Sequence, residues 1–190
     1  MGIDLFVDPG SFLAASPELL DPNFARAVVL ICQHTSAGAY GLVLNRPSEF
    51  CARDVLPAHE FLRSSGLRAF VGGPVGLETL QILHRVPELI GGGEPITDDL
   101  WLGGDLDDVG RLARDDPERA AANVRLFLGY SGWGEGQLET ELASCSWLPA
   151  PASAQRAFEV DAPNLWRDVV RALGPEYRAL ADEPPDPNYN

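Results

Sequence analysis

Hydrophobic residues occur in short runs interrupted by glycine, proline and polar residues, a pattern typical of strands joined by turns. Residues 27–33 read AVVLICQ, an apolar run without alternation, which predicts a strand buried on both faces. The run 39–44 follows after a short turn, so we expect these two strands to form a hairpin. The other runs predict strands at residues 11–15, 68–71, 80–85, 99–102, 124–128 and 157–160.

Helical periodicity is confined to a few segments. Asp105 is a typical N-cap residue for a helix over residues 106–114, whose apolar positions recur at helical spacing. Asp161 is likewise a typical N-cap residue for a helix near residues 165–173. Further helices are predicted at residues 49–65, 117–122 and 137–146, the first of them interrupted at Pro57.

Neighbouring strand runs are joined by turns more often than by helices. Residues 68–71 and 80–85, on either side of a Gly-Gly-Pro turn, are therefore expected to form a second hairpin. Such hairpins favour an α+β fold, with a mixed β-sheet and helices packed around it. The length of 190 residues suits one domain, predicted over residues 1–180, and we expect the Pro- and Asp-rich tail 181–190 to be disordered.

The segment 124–147 contains a strand run, four glycines and a helical pattern, which predicts a strand, a glycine-rich turn and a helix. Such an arrangement could bind an anion. The chain contains no lysine for a phosphate loop and no third glycine for a dinucleotide fingerprint, and Trp133 replaces the last glycine of G-x-S-x-G. We therefore interpret the glycines as a tight turn that the Trp133 ring covers.

Charge and composition exclude several functional classes. The formal net charge is −14 and the 14 basic residues are scattered arginines, so we expect no direct binding to nucleic acid. The chain has no apolar run of about 18 residues and no basic-then-apolar start, which predicts a cytoplasmic protein that neither enters a membrane nor carries a secretory signal. The three cysteines and three histidines lie too far apart to indicate a disulfide framework or a metal site, and we expect no cofactor.

Ten residues that border the predicted strands and turns are candidates for binding a ligand or partner. They are Arg26, His34, Asn45, Arg46, Gly72, Gly73, His84, Ser131, Trp133 and Gln137. In one arrangement they converge on a single cleft beside the glycines. In the other they are spread out, so that Arg26 pairs with Asp21 and Asn45 holds a turn. His34 and His84 then cap strand ends through backbone hydrogen bonds. We favour the second arrangement, because polar residues at strand ends usually satisfy local backbone groups.

Several motifs together resemble the YqgE/AlgH family of bacterial proteins. They are LLDPNFAR at 19–26, CQH at 32–34, GAYGLVLNRP at 38–47, GGPV at 72–75, LH at 83–84, and GYSGW followed by GQLE within 129–139. The resemblance covers nearly the whole chain and implies a compact cytosolic protein with a bent, branched sheet surrounded by helices. The family carries the label of transcriptional regulator, and no reaction, cofactor or catalytic residue is established for it. This chain departs from the family pattern at residues 76–81, which lack the usual arginine-containing approach to the Leu-His pair.

The sequence therefore predicts a regulatory or binding protein that acts through an unknown protein or small-molecule partner. A hydrolase is the alternative. It would need a nucleophile, a base and an oxyanion site, for which Ser131, one of His34 and His84, and the glycine amides are the candidates. The broken G-x-S-x-G motif argues against this alternative.

Overall fold

The structure is a computed structural model that describes residues 7–184. The strands within this range are β1 Ser11–Ala15, β2 Val28–Thr35, β3 Gly38–Val43, β4 Pro47–Cys51, β5 Arg68–Val71, β6 Val75–His84, β7 Gly93–Thr97, β8 Leu100–Gly103, β9 Val124–Gly134 and β10 Trp147–Pro151. The helices are α1 Ala52–Val55, α2 Leu106–Asp115, α3 Pro117–Asn123, α4 Gln137–Ala143, α5 Ala154–Glu159, α6 Ala162–Ala172 and α7 Arg178–Asp182, with a 3-10 turn at Pro175–Tyr177. No helix of the described range is long and apolar enough to cross a membrane.

The strands form a bent, branched sheet in which β9 is the branch point. The strand order is β10-β1-β2-β3-β9-β6-β8-β7, and β4 and β5 lie off this path. Along its first half, β9 pairs with β6 in antiparallel and with β5 in parallel orientation. Along its second half, β9 pairs with β3. The fold is therefore α+β with a mixed sheet, as the sequence predicts.

The hairpin of β2 and β3 is confirmed, and its turn is closed by the pair Thr35 and Gly38. Leu30 of β2 packs in one hydrophobic cluster with Trp166 of α6. Ile31 points to the opposite face and packs in a second cluster with Leu138 of α4. Because helices cover both faces of β2, its apolar run shows no polar alternation.

The predicted second hairpin is wrong, because β9 lies between β5 and β6. The chain crosses β9 at Gly72 and Gly73, where the two backbones approach very closely. A Cβ on Gly72 would lie 2.4 Å from the carbonyl oxygen of Gly129, and one on Gly73 would lie 2.3 Å from that of Tyr130. Glycine allows this approach because it has no Cβ, and the same Gly-Gly pair resembles a hairpin turn in the sequence.

The glycine-rich turn is shorter than predicted. β9 continues through Gly129, Gly132 and Gly134, and only Glu135 and Gly136 lead into α4. Gly129 adopts a φ of 68° opposite an irregular part of β6. Most of these glycines are therefore strand residues, and Gly129 permits a local irregularity in the pairing.

Four further segments differ from the sequence prediction. The edge strand β10 pairs with β1 although it contains Pro149 and Pro151, which an edge strand tolerates because its outward N–H groups have no ladder partner. Residues 157–160 contribute mainly to α5 instead of forming a strand. The strand β7 lies in a segment that the sequence presents as a loop. Residues 49–65 form the end of β4, then α1 and turns.

The helices predicted after Asp105 and Asp161 are confirmed. The Asp105 carboxylate caps α2, because it accepts a hydrogen bond from the backbone N–H of Asp108 at 3.0 Å. The predicted tail begins too early, since Ala181 belongs to α7 and is fully buried. Residues 185–190 of that tail lie outside the described range.

Candidate functional site

Ser131 lies on β9 at the point where Gly72 and Gly73 cross it. The serine is fully buried, and its hydroxyl donates a hydrogen bond to the carbonyl oxygen of Gly72 at 3.1 Å. A Cβ on Gly73 would lie 2.4 Å from Ser131 Oγ, so backbone covers the hydroxyl closely. Within residues 7–184, no hydrogen bond joins Ser131 to a histidine. Ser131 therefore stabilises the crossing of two strands.

Asn45 and Arg46 fix the segment that leads into β2. The Asn45 side chain donates to the carbonyl oxygen of Arg26 at 2.8 Å and accepts from the backbone N–H of Val28 at 2.9 Å. Arg46 donates to the carbonyl oxygen of Ala25. Arg26 itself has a φ of 54°, which is uncommon for a residue with a side chain. Asn45 thus holds a backbone segment 17 to 19 residues away in sequence, where the sequence predicts a local turn, and it supports a residue in an uncommon conformation.

The Arg26 guanidinium reaches the C-terminal part of the described chain. It donates to the carbonyl oxygens of Glu183 and Pro184, at 2.7 and 2.8 Å, and lies 4.6 Å from the centroid of the Trp166 ring. The predicted pair between Arg26 and Asp21 is therefore replaced by contacts that are distant in sequence.

Glu141 holds α4 in place, although the sequence analysis did not single it out. Its Oε2 atom accepts hydrogen bonds from Trp133 Nε1 at 2.9 Å and from Trp147 Nε1 at 2.7 Å. Its Oε1 atom accepts from Gln137 Nε2 at 2.9 Å. The two buried indole rings pack edge to face, with centroids 6.0 Å apart. Trp133 is therefore a core residue that connects β9 to α4.

His34 connects β2 to α4 and to the start of the described chain. Its Nδ1 atom donates to the carbonyl oxygen of Val7 at 2.8 Å, and its Nε2 atom lies 3.0 Å from Glu139 Oε1. The imidazole is fully buried, whereas 37% of the Glu139 side chain is exposed. Hydrogen bonds from its own backbone N–H and from His34 lower the pKa of Glu139. His34 thus bonds a backbone carbonyl oxygen, but that of Val7, 27 residues away, and not one at the end of a strand.

Among residues 7–184, the buried side-chain nitrogens without a hydrogen-bond partner are His84 Nε2 and Trp101 Nε1. The two rings stack with centroids 6.4 Å apart. The backbone N–H of Val86 donates to His84 Nδ1 at 3.4 Å, so the ring proton lies on Nε2. A Cβ on Gly93 would lie 2.9 Å from that atom. Burial lowers the pKa of His84 below its ordinary value of 6.5, which keeps the ring neutral at pH 7.

The ten candidate residues occupy several separate environments. Arg46 and Gly73 line one cleft of about 210 Å³. His84 pairs with Val124 at the start of β9, and the spacing along a strand places that end roughly 20 Å from Ser131. Gln137, like Trp133, belongs to the Glu141 network. Within the described residues, no group of three or more His, Cys, Asp and Glu side chains could hold a metal ion.

Arg68 and Arg125, which the sequence analysis missed, form a different kind of site. Arg68 begins β5 and Arg125 lies near the start of β9, and the parallel pair of Ala69 with Leu126 places the two arginines side by side. Both line a cavity of about 490 Å³. The other described lining residues come from residues 64–67, Phe70, α2, α3 and the start of β9, and none of them is acidic or a histidine.

The partly buried Arg125 guanidinium forms no ion pair with a described carboxylate. It lies 4.7 Å from the centroid of the Phe70 ring and 5.6 Å from that of Phe158, and Nη2 donates to the carbonyl oxygen of Phe158 at 3.2 Å. Burial, and then the positive charge of Arg85, lower the pKa of Arg125. Arg68 is exposed and forms no hydrogen bond or ion pair through its side chain with any residue in 7–184.

The sequence carries only a weak signal for this cavity. Each arginine stands at the start of an apolar strand run, but the sequence does not show that β5 and β9 pair in parallel. The pairing depends on the crossing at Gly72 and Gly73, which the sequence presents as a hairpin turn. For Glu141 the sequence gives one indication. It lies four residues after Gln137, a spacing that places the two side chains on one helix face.

Comparisons with known proteins agree with this fold. A family model described as AlgH-like (DUF179) matches residues 12–178. A UPF0301 protein of Chlorobaculum tepidum is 37% identical over 182 residues, which cover 96% of this chain and 95% of that protein. The solution structure of AlgH from Pseudomonas aeruginosa superposes with a TM-score of 0.71 at 28% identity, covering 93% of this chain and 94% of that one.

A crystal structure of a Corynebacterium diphtheriae protein, DIP2367, superposes with a TM-score of 0.74. The two sequences are 22% identical, and the superposition covers 96% of this chain and 95% of the other. At this identity the comparison supports the fold alone. The family model spans most of the chain, and the Chlorobaculum relative aligns over nearly its full length. This chain therefore belongs to the AlgH-like family.

Proposed function

We propose that this protein is a cytoplasmic binding or regulatory protein without catalytic chemistry, which acts through a small-molecule or protein partner. The observation that carries this proposal is the composition of the cavity at Arg68 and Arg125. Its volume of about 490 Å³ is in the usual range for small-molecule sites. Its described lining offers arginines, serines and apolar side chains, but no histidine, carboxylate, cysteine or tyrosine that could transfer a proton.

The environment of Ser131 argues against the hydrolase alternative. A nucleophilic serine needs a base within hydrogen-bond reach and access to a substrate carbonyl. The Ser131 hydroxyl instead donates to the Gly72 carbonyl oxygen in a fully buried position. His34 is held by Val7 and Glu139 and forms no described hydrogen bond with that hydroxyl.

The placement of the arginines argues against direct binding to duplex DNA. Duplex binding requires basic groups that replace the counterions of several phosphates. Six arginines form ion pairs with described carboxylates, namely Arg85, Arg111, Arg114, Arg119, Arg156 and Arg171. Others, including Arg26 and Arg46, donate to backbone carbonyl oxygens inside the fold. With a net charge of −14, few basic groups remain for a nucleic-acid backbone.

Two assays on the purified protein test this proposal. Fluorescence anisotropy with a labelled 30-base-pair duplex should show no submicromolar binding at low salt, and binding that weakens steeply with added salt would contradict the proposal. Turnover of p-nitrophenyl acetate should be no faster with wild type than with Ser131→Ala. A rate that depends on Ser131 would instead establish the hydrolase. Ser131→Ala also removes the buried hydrogen bond to Gly72. Near-UV circular dichroism therefore shows whether the variant is folded, so that its rate can be compared with that of wild type.

A further inference from the structure

Two arginines that line the cavity form no ion pair with a described carboxylate, unlike six other arginines of this protein. Arg68 and Arg125 are neighbours on paired strands, where like charges destabilise a sheet. The chain has 28 acidic and 14 basic residues, so carboxylates are plentiful. Within residues 7–184, however, neither arginine forms an ion pair. The positive charge of the pair is therefore available to a ligand.

Arg125 is held in a fixed orientation but uses little of its hydrogen-bonding capacity. The rings of Phe70 and Phe158 pack against the guanidinium, which limits its motion. Of its five N–H donors, one bonds the Phe158 carbonyl oxygen, and no other hydrogen bond of the side chain is present within the described residues. The neighbouring Arg85 is neutralised by Glu159 at 2.9 Å. Among the residues that line the cavity, the unneutralised positive charge is thus that of Arg125 and Arg68.

The rest of the cavity divides into a polar part and an apolar part. Ser64 and Ser65 contribute hydroxyl groups near Arg68, and the Ser65 hydroxyl oxygen accepts from the backbone N–H of Leu67 at 3.2 Å. The hydroxyl proton of Ser65 remains able to donate. The wall formed by α2, α3 and the start of β9 contributes small apolar side chains, Ala113, Ala120 and Val124 among them. A matching ligand therefore has a charged end and an apolar end.

We infer that this cavity binds a small organic anion, in which a phosphate or carboxylate group is attached to a compact apolar body. The anionic group accepts hydrogen bonds from Arg68 and Arg125, for which guanidinium groups have the appropriate planar geometry. The apolar body lies against the wall formed by α2 and α3. This inference rests on the proposed function, because it names the class of small molecule that the protein would bind.

The test uses four probes and the full-length protein. Phenyl phosphate and benzoate carry both features and distinguish phosphate from carboxylate, inorganic phosphate carries only the charge, and benzyl alcohol carries only the apolar ring. Isothermal titration calorimetry and ¹H–¹⁵N NMR spectra measure affinity and location. We expect phenyl phosphate or benzoate to bind more tightly than either single-feature probe. The arginine Nε–H resonances of Arg68 and Arg125 should shift on binding.

Three arginine variants separate local binding from a general effect of charge. Arg68→Gln and Arg125→Gln should each weaken binding of the preferred anion at least about tenfold, the loss expected when a hydrogen bond to a charged group is removed. Arg178→Gln is the matched control, because Arg178 is exposed and its side chain has no described partner. That control should leave the affinity unchanged. If Arg125→Gln does not fold, the affinity of Arg68→Gln and the NMR shifts of the wild-type protein still show whether the anion binds in this cavity.

The outcomes distinguish this inference from the proposed function. Equal binding of benzyl alcohol and the two anions, anion binding that Arg178→Gln weakens as much as Arg68→Gln, or no anion binding at millimolar concentration would each overturn the anion site. None of these outcomes would touch the proposal that the protein acts through a partner. Release of phenol from phenyl phosphate that depends on the two arginines would support the anion site, while it would contradict a non-catalytic function.

Discussion

Glu141 provides a direct test of how the fold is held together, because one carboxylate satisfies two buried indoles. Trp133 and Trp147 are 6% and 2% exposed, and both donate to Oε2 of Glu141. The variant Glu141→Ala leaves two indole N–H groups without an acceptor. An unsatisfied buried donor costs about 1–3 kcal/mol, so we expect the free energy of unfolding to fall by about 2–6 kcal/mol.

The variant Glu141→Gln measures how much of this stabilisation depends on the negative charge of Glu141. Glutamine keeps one oxygen that can accept from both indoles, but hydrogen bonds to a neutral acceptor are weaker by about 1 kcal/mol each. Its amide nitrogen would also face Gln137 Nε2, another donor. We therefore expect Glu141→Gln to lower the free energy of unfolding by about 2–3 kcal/mol, which is within the lower half of the range for the alanine variant.

Urea denaturation followed by far-UV circular dichroism is the suitable assay, because tryptophan fluorescence would respond directly to the lost hydrogen bonds. The matched control is Glu135→Gln, which removes the same charge from an exposed residue whose side chain has no described partner and should change stability by less than about 0.5 kcal/mol. The reasoning is refuted if Glu141→Ala unfolds at the wild-type midpoint with an unchanged denaturant slope.

Three other predictions concern the glycines, His84 and the cysteines. Gly129→Ala should destabilise the protein by about 2 kcal/mol or more, because φ is 68° and the new Cβ would lie 2.7 Å from a carbonyl oxygen. Gly132→Ala is the control, because its Cβ would lie 3.4 Å from the nearest atom, and its melting temperature should equal that of wild type. Since burial lowers the pKa of His84 in the folded protein, protonation favours the unfolded state. The free energy of unfolding is therefore not reduced by His84 above pH 6.5, and below that pH it falls by at most about 1.4 kcal/mol per pH unit. Urea titrations between pH 7.5 and 5.5 should show this loss in wild type relative to His84→Phe, and a constant difference between the two proteins would contradict it. Burial raises the pKa of Cys32 to about 12, so iodoacetamide should modify exposed Cys145 in the native protein and Cys32 only after denaturation, as peptide mass spectrometry can verify.

Local elements of this fold follow from the sequence where a single stretch of chain determines them. The run 27–33 is apolar throughout because helices cover both faces of β2, and Asp105 marks the start of α2 through its own hydrogen bond. The edge strand β10 was not predictable, because Pro149 and Pro151 disfavour strands in general and are tolerated only at an edge. Whether a strand lies at an edge is a property of the assembled sheet.

Strand pairing between distant segments was the main feature that the sequence did not reveal. The Gly72-Gly73 pair is compatible with a hairpin turn and with a close crossing over another strand, and only the presence of β9 decides between them. The same crossing buries Ser131, and it determines which residues adjoin Arg68. The glycines and Ser131 stand out as motifs in the sequence although the crossing uses them for packing, whereas the arginines that the crossing brings together belong to no motif.

The charge distribution relates the two proposals to each other. At physiological salt, charges separated by more than about 8 Å are largely screened, so a small anion at Arg68 and Arg125 interacts mainly with those two arginines. A duplex presents one phosphate charge per about 1.7 Å of its axis and would extend far beyond the pair. Most of its phosphates would then face a protein of net charge −14, in which at least six other arginines are already neutralised by carboxylates. On both proposals, the same two arginines therefore favour a compact anion over a duplex.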